Sequence, residues 1–469
     1  VLDFKRSLGI PMGGPVRIKT RPWATIAIII VNVIVYAISS YENSFMEISD
    51  YWVSAGGFVP SLVTMPTQLY RIFSSMFLHA DFFHILFNMY FLYLFGRAVE
   101  EVLGRLRYLV LYFISGIAAS IFHTAFSYIG GATAYVIPAI GASGAISGIL
   151  GSYLILFPGT SLIMGWTFML FPIFFRTKAA YYLIFWFAMQ VIYGYTRLGG
   201  SVAFFAHAGG FIAGIAILPL VADRERLIQF RLTRQAIFST YIFTPTSIKR
   251  PGLGTITKAI MTTLLVALLA GAAYASCGLA IHGNIKAATI QYSFEGTPYI
   301  DYVGFQLQNL ESQLSKISLD ETRILLNRLY AAELLYDKIK ANKIMNLNNW
   351  NVELPIIVGG RRINVSMLLR SFSGEYDEDG FLSHGVGELQ TQVILIKYPF
   401  VEVSRDFVRY IFELTSQTVN LTHITQYTSL ISLFATGAAL AVALVKDKDL
   451  TLIGEEPERL WRPSAPYYV

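Results

Sequence analysis

A serine hydroxyl and a histidine imidazole each stand beside small residues in membrane-grade sequence. Ser143 lies in Gly141-Ala142-Ser143-Gly144, and His207 lies in Ala206-His207-Ala208-Gly209-Gly210. Ionisable groups at membrane depth are costly and usually functional. A hydroxyl nucleophile needs a base within about 2.6–3.2 Å to take its proton, and an imidazole can be that base. His84 and Asn88 form a third constellation, at i and i+4 on one helix face. Two neutral donors aimed at one point, with the backbone N–H of Ser143, would suit the oxyanion of a carbonyl under attack. His79 and Asp81 read equally well as interfacial polar groups.

Each residue alone has an ordinary explanation. Serine, glycine and alanine in membrane helices usually serve packing, and a lone membrane histidine can be a satisfied polar contact. The case for chemistry rests on their pairing at one depth. Gly141, Gly144, Gly148 and Gly151 fall at i, i+3, i+7 and i+10, and Ala206, Gly210 and Gly214 at i, i+4 and i+8. Small residues at these spacings let two helix backbones approach closely.

The elements that must hold these groups are membrane spans. Of 469 residues, 54% are hydrophobic and only 14% charged, against about 25% charged in soluble domains. About 20 apolar residues cross the hydrocarbon core. Eight segments qualify: 23–40, 82–95, 108–127, 140–157, 180–195, 203–222, 259–281 and 429–445. The second is short and needs its flanks. Segment 161–175 is also apolar, but short and broken by Pro172. A further crossing there would put Ser143 and His207 on opposite faces of the membrane, so it is read as a loop element, interfacial or re-entrant. The fold class is therefore an all-α polytopic membrane protein with an α+β extramembrane domain.

Basic residues set the orientation. Lys5, Arg6, Arg17, Lys19 and Arg21 precede the first span; Arg97, Arg105 and Arg107, then Arg176 and Lys178, then Arg224, Arg226, Arg231, Arg234, Lys249 and Arg250 mark alternate loops. The positive-inside rule makes these cytoplasmic, with Ser143 and His207 in the outer half. The formal charge of +6 follows from this topology and points to no nucleic acid. The single cysteine, Cys277, has no disulfide partner and reads as a small membrane hydrophobe. No cleavable signal peptide is evident. The histidines lack the cysteine partners of a tetrahedral metal site, so neither metal nor cofactor is expected.

The expected order is a cytoplasmic N-terminal segment at 1–22, a catalytic core at 23–222, a basic cytoplasmic linker at 223–258, a seventh span at 259–281, an extracytoplasmic domain at 282–428, an eighth span at 429–446 and a cytoplasmic tail at 447–469. Within the outer domain, Ser318-Leu319-Asp320-Glu321 reads as a capping box opening a long helix to about residue 342. Segments 352–365 and 392–403 read as strands around a Gly359-Gly360 turn. Asn364-Val365-Ser366 and Asn420-Leu421-Thr422 match glycosylation sequons. The domain shows no catalytic motif and reads as a binding or positioning module for an unnamed partner.

Together these motifs resemble the rhomboid family of intramembrane serine proteases. The resemblance rests on Tyr70-Arg71, His84-x-x-x-Asn88, Gly96-x-x-x-Glu100, Gly141-Ala142-Ser143-Gly144 and Ala206-His207-x-x-Gly210-x-x-x-Gly214, and covers about residues 23–222, just under half the chain. It implies a six-helix core with Ser143 as nucleophile and His207 as base, and no third acid. It implies that His84, Asn88 and Gly141 serve the oxyanion or substrate, while Arg71, Glu100, Gly144, Gly210 and Gly214 are structural. The loop at 41–80 would lie partly in the bilayer, anchored by Arg71. Substrates would be transmembrane proteins cut near helices destabilised by small residues, and the remaining partner is the lipid bilayer, in a cell membrane.

The chain departs from the family in having Tyr70-Arg71 for the commoner Trp-Arg pair. Some members carry an aromatic one turn after the nucleophile, where Ser147 stands here; an aromatic from 181–195 could hold the His207 ring instead. The competing reading is a catalytically silent rhomboid-like binder of membrane clients, against which the retention of Ser143, His207, His84 and Asn88 argues. A transporter or channel would need a charged path at mid-membrane, and the spans carry few such residues. If His207 is the base, activity falls as pH drops through its pKa, about 6.5 when unperturbed.

Overall fold

The computed structural model describes residues 10–13, 20–168, 171–198, 202–239, 252–307, 310–315, 317, 319–358, 361–397 and 400–455. Lys5, Arg6, Arg17, Lys19, Lys249, Arg250, Ser318, Gly359, Gly360 and the end of the expected tail lie outside them. All eight apolar segments are helical: α1 (Trp23–Ser40), α2 (Phe82–Leu103), α3 (Arg105–Phe126), α4 (Ser143–Leu156), α5 (Ala179–Thr196), α6 (Phe204–Val221), α8 (Thr255–Ser276) and α10 (Leu421–Ala441). Six of these, among the described residues, are long and apolar enough to cross a membrane, α4 and α5 being the other two. The chain is a multi-pass membrane protein with a sheet-rich region attached.

Several boundaries differ from the sequence expectation. Segment 161–175 is no loop but a hairpin of β2 (Ser161–Phe168) and β3 (Phe171–Lys178), joined by β1 (Ile10–Gly13). Its aromatic and β-branched residues favour strand, and Pro172 cannot continue a helix. The presumed linker contains helix α7 (Arg224–Ser239). The last span starts at Leu421 because Asn420 caps it, its side chain accepting from the His423 N–H at 3.0 Å. Helix α9 of the sheet-rich region is shorter than expected, Asp320–Ala331. Glu333 adopts φ 57°, which ends the helix and turns Leu334 and Leu335 into the core. Cys277 is exposed at the end of α8.

The sheet-rich region is built on one antiparallel sheet in the order β5-β4-β9-β8-β7-β6. Its strands are β4 (Asn284–Phe294), β5 (Thr297–Phe305), β6 (Ile344–Val358), β7 (Arg361–Tyr376), β8 (Leu382–Lys397) and β9 (Phe400–Asn420). Alternate residues such as Ile290, Leu369, Leu389 and Leu414 point to one face, where Leu325, Leu326 and Leu329 of α9 cover them. At the membrane end, Ile285, Ala287 and Val419 pack on Tyr135, which precedes α4. The sheet thus stands directly on the helical bundle.

The bundle's ends are closed by buried carboxylates. Glu100 accepts from the N–H groups of Ala24 and Thr25 at 2.9 and 2.8 Å, capping α1. At the start of α8, Asp447 accepts from the Leu253 N–H at 3.0 Å and pairs with Lys258 at 2.9 Å. Glu455 accepts from the Gly254 N–H and the Thr257 hydroxyl, both at 2.9 Å. The chain between them forms a strap: Leu452 donates its N–H to the Leu156 carbonyl at 2.7 Å and Thr451 its hydroxyl to the Ile155 carbonyl at 2.8 Å. Helix α4 therefore ends on carbonyls that the strap satisfies, instead of on a free tail. Glu455→Ala removes a helix cap and should cost about 1–2 kcal/mol. Unfolding by SDS titration in mixed micelles should register this loss; an unchanged midpoint would show the strap to be incidental.

Candidate active site

Ser143 occupies the first position of α4, where the initial N–H groups of a helix have no partner within it. His207 sits in the first turn of α6. The two helices touch through glycine. A Cβ added to Gly210 would lie 1.9 Å from the Gly144 carbonyl oxygen, and one on Gly214 would lie 1.9 Å from that of Gly148. Ser152 adds a cross-helix bond, donating to the Gly214 carbonyl at 2.9 Å. Backbones this close carry their first turns together, and His207 Nε2 lies 2.8 Å from Ser143 Oγ.

The other face of the His207 ring meets a group that the sequence reading missed. Gln190 of α5, itself buried, places Oε1 2.9 Å from His207 Nδ1. Its Nε2 donates to the Trp186 carbonyl at 3.2 Å, so Oε1 is the acceptor facing the ring. Nδ1 then carries the proton and Nε2 has the lone pair turned to the serine. Trp186 lies against the imidazole with centroids 6.1 Å apart. An aromatic from 181–195 thus does flank His207, beside an amide that fixes its tautomer. An isolated glutamine within an apolar span was the available signal.

His84 stands on the opposite side. The Ala80 N–H donates to its Nδ1 at 3.3 Å, leaving Nε2–H as a donor. That atom is where a Gly141 side chain would go: a Cβ there would be 2.9 Å from His84 Nε2 and 3.4 Å from Ser143 Oγ. Gly141 also has φ 125°, in the region side chains avoid. Asn88 is one turn further along, and its amide donates to the His84 carbonyl at 2.8 Å. It braces that turn with one N–H. His79 is fully buried, its Nε2 accepting from the Ala142 N–H at 3.4 Å, and Asp81 caps α2 through the His84 N–H at 2.8 Å; neither is merely interfacial.

Ser143, His207, His84 and Gly141 therefore lie together, with Asn88 behind them and Gly144, Gly210 and Gly214 at the helix contact. Glu100 is about 24 Å further along α2 at 1.5 Å per residue, and Arg71 is buried in the loop before that helix. Among the described residues, no group of three or more His, Cys, Asp or Glu is placed to hold a metal.

The model of the rhomboid domain matches residues 66–224, which contain every residue of the site. This part of the chain is a rhomboid domain. RHOMBOID-like protein 1 of Arabidopsis thaliana is 29% identical over 223 residues, covering 42% of this rhomboid and 52% of that protein. The mitochondrial Rhomboid protein 1 of Saccharomyces cerevisiae is 29% identical over 203 residues, with 42% and 53% covered. Inactive rhomboid protein 1 of Danio rerio is 29% identical over 186 residues, with 38% and 19% covered. The chain spans about half the length of the first two of these relatives. Another relative is named Rhomboid-like protease 1, of Toxoplasma gondii, while the Danio rerio protein is named inactive, so activity must be argued from this chain's own residues.

Gln190→Leu removes the acceptor that holds Nδ1–H while keeping the side chain's bulk. If the site turns over, kcat should fall on the order of tenfold or more with KM little changed, since base orientation acts in the transition state. Steady-state kinetics of the variant decide this, and wild-type kcat would mean that Trp186 packing alone suffices.

Proposed function

We propose that this rhomboid is an intramembrane serine endopeptidase acting on transmembrane proteins through a Ser143–His207 dyad. The observation that carries the reading is the 2.8 Å approach of Ser143 Oγ to a His207 Nε2 whose tautomer Gln190 fixes. A protein that only binds clients has no need of that alignment. In the first step His207 takes the hydroxyl proton as Ser143 Oγ bonds to the substrate carbonyl. The oxyanion is met by His84 Nε2–H and the backbone N–H of Ser143, with Asn88 bracing His84 and offering its second amide hydrogen. The bond to the leaving amine breaks as His207 returns the proton to it, giving an acyl-enzyme. Water, deprotonated by His207, then attacks the ester and releases Ser143. No cofactor is required.

In this reading eight helices cross the bilayer: a six-helix catalytic core from α1 to α6, then α8 and the helix Leu421–Leu450. The N-terminus and the strap are cytoplasmic, the sheet domain is extracytoplasmic, and the dyad opens in the outer half of a cell membrane. Substrate backbone must be extended to reach Ser143, so segments with helix-breaking residues are favoured.

Ser143→Ala should abolish cleavage of reconstituted transmembrane substrates, a loss on the order of 10⁴-fold or more, with the folded state unchanged by SDS titration. Acidification that protonates His207 should lower kcat as well. Cleavage that persists in Ser143→Ala would remove the nucleophile, and a wild-type chain that binds membrane clients without cutting any would favour the silent reading instead.

A further inference from the structure

The outer domain touches the membrane core at a second place besides Tyr135. Tyr302 of β5 is buried with Val59 and Leu62 of the loop between α1 and α2. Its ring lies over the Arg71 guanidinium, Cζ to centroid 4.0 Å. A cation on an aromatic face out of water is strongly held. Arg71 is itself 1% exposed, so this contact is shielded from solvent.

Arg71 does more than fill space. It donates from one guanidinium nitrogen to the carbonyls of Ser54 and Gly57, at 2.7 and 2.9 Å, and from Nε to Gln68 Oε1 at 2.7 Å. The turn at 54–57 is thereby fastened to 68–71. The next residue, Phe58, exchanges two backbone hydrogen bonds with Ala139, at 2.9 and 2.8 Å. Two residues on, the Gly141 N–H donates to the Ser75 carbonyl at 2.8 Å. The segment that enters Ser143 thus hangs from the loop that Arg71 closes, and Tyr302 is the outer-domain side chain stacked on that arginine.

We propose that Tyr302 is a positioning residue: through Arg71 and the 54–58 turn, the outer domain sets the placement of Gly141 and of the Ser143 backbone N–H. This rests on the protease reading for its functional consequence, though not for the structural coupling. Displacing Gly141 by a fraction of an ångström moves the Ser143 N–H relative to His84, the other oxyanion donor, and leaves the rest of the bundle surface intact. The effect therefore falls on kcat.

The test uses the full chain in liposomes, as wild type, Tyr302→Leu and Tyr302→Phe. Tyr302→Leu should lower kcat on the order of tenfold to 10²-fold, as expected for a small misplacement, with KM nearly unchanged. Tyr302→Phe keeps the aromatic face and should restore kcat. Hydrogen exchange should quicken at the amides of Phe58, Ala139 and Gly141 in Tyr302→Leu and not in Tyr302→Phe. A leucine variant with wild-type exchange at these amides overturns the proposal, as does loss of kcat in both variants alike. If the wild type cleaves no substrate, the protease reading fails while the exchange result still decides whether Tyr302 governs the Gly141 segment.

Discussion

Helices α4 and α6 approach so closely that neither can carry a side chain at the contact, and the site exists because of it. Within lipid there is no hydrophobic force between helices, so van der Waals fit between small residues must hold them. Gly144 and Gly148 on one helix meet Gly210 and Gly214 on the other, where an added Cβ would collide with backbone carbonyl oxygen. That fit fixes the relative height of the two first turns. Ser143 and His207 stand in those turns, and their hydrogen bond follows from the backbone contact more than from any feature of the side chains.

A polar site inside such a bundle must also satisfy its own hydrogen-bonding groups, since an unpaired one is expensive away from water. His207 is met by Gln190 and Ser143, His84 by the Ala80 N–H, and Asn88 by the His84 carbonyl. The same requirement operates at the helix ends. Glu100 closes α1, and the strap from Asp447 to Glu455 serves α4 and α8 together. The chain after the last span is therefore part of the bundle, and the six-stranded sheet stands on the segment that leads into α4.

The sequence revealed the periodic features and hid the ones that depend on tertiary partners. Glycine at helical spacing and histidines in apolar runs are visible without coordinates, and they mark Ser143, His207, His84 and Gly141 as a set. Gln190 carries no spacing signal relative to His207; only the packing of α5 on α6 makes it a partner. The strap falls inside the expected tail at 447–469, and nothing local to Lys446, Asp447, Lys448 and Asp449 says that Asp447 will cap a helix. The hairpin at 161–178 reads from sequence as a loop element, since a short apolar run has no period that separates buried strand from interfacial loop. In the sheet-rich region the β-rich composition is legible, but the first two strands, the end of α9 at Glu333 and the stacking of Tyr302 on Arg71 are set by contacts distant in sequence.

The most direct test of the helix contact is the rate at which a serine-directed fluorophosphonate labels residue 143 in Gly214→Val compared with wild type, with the adduct mapped by peptide mass spectrometry. Gly214 touches neither reacting side chain, so the comparison isolates the approach of the backbones. The expected result is a single adduct on Ser143 in the wild type and labelling slowed by on the order of 10²-fold in the variant, as misplaced reacting groups require. Equal labelling rates in a folded variant, or an adduct on any other serine, would contradict the account.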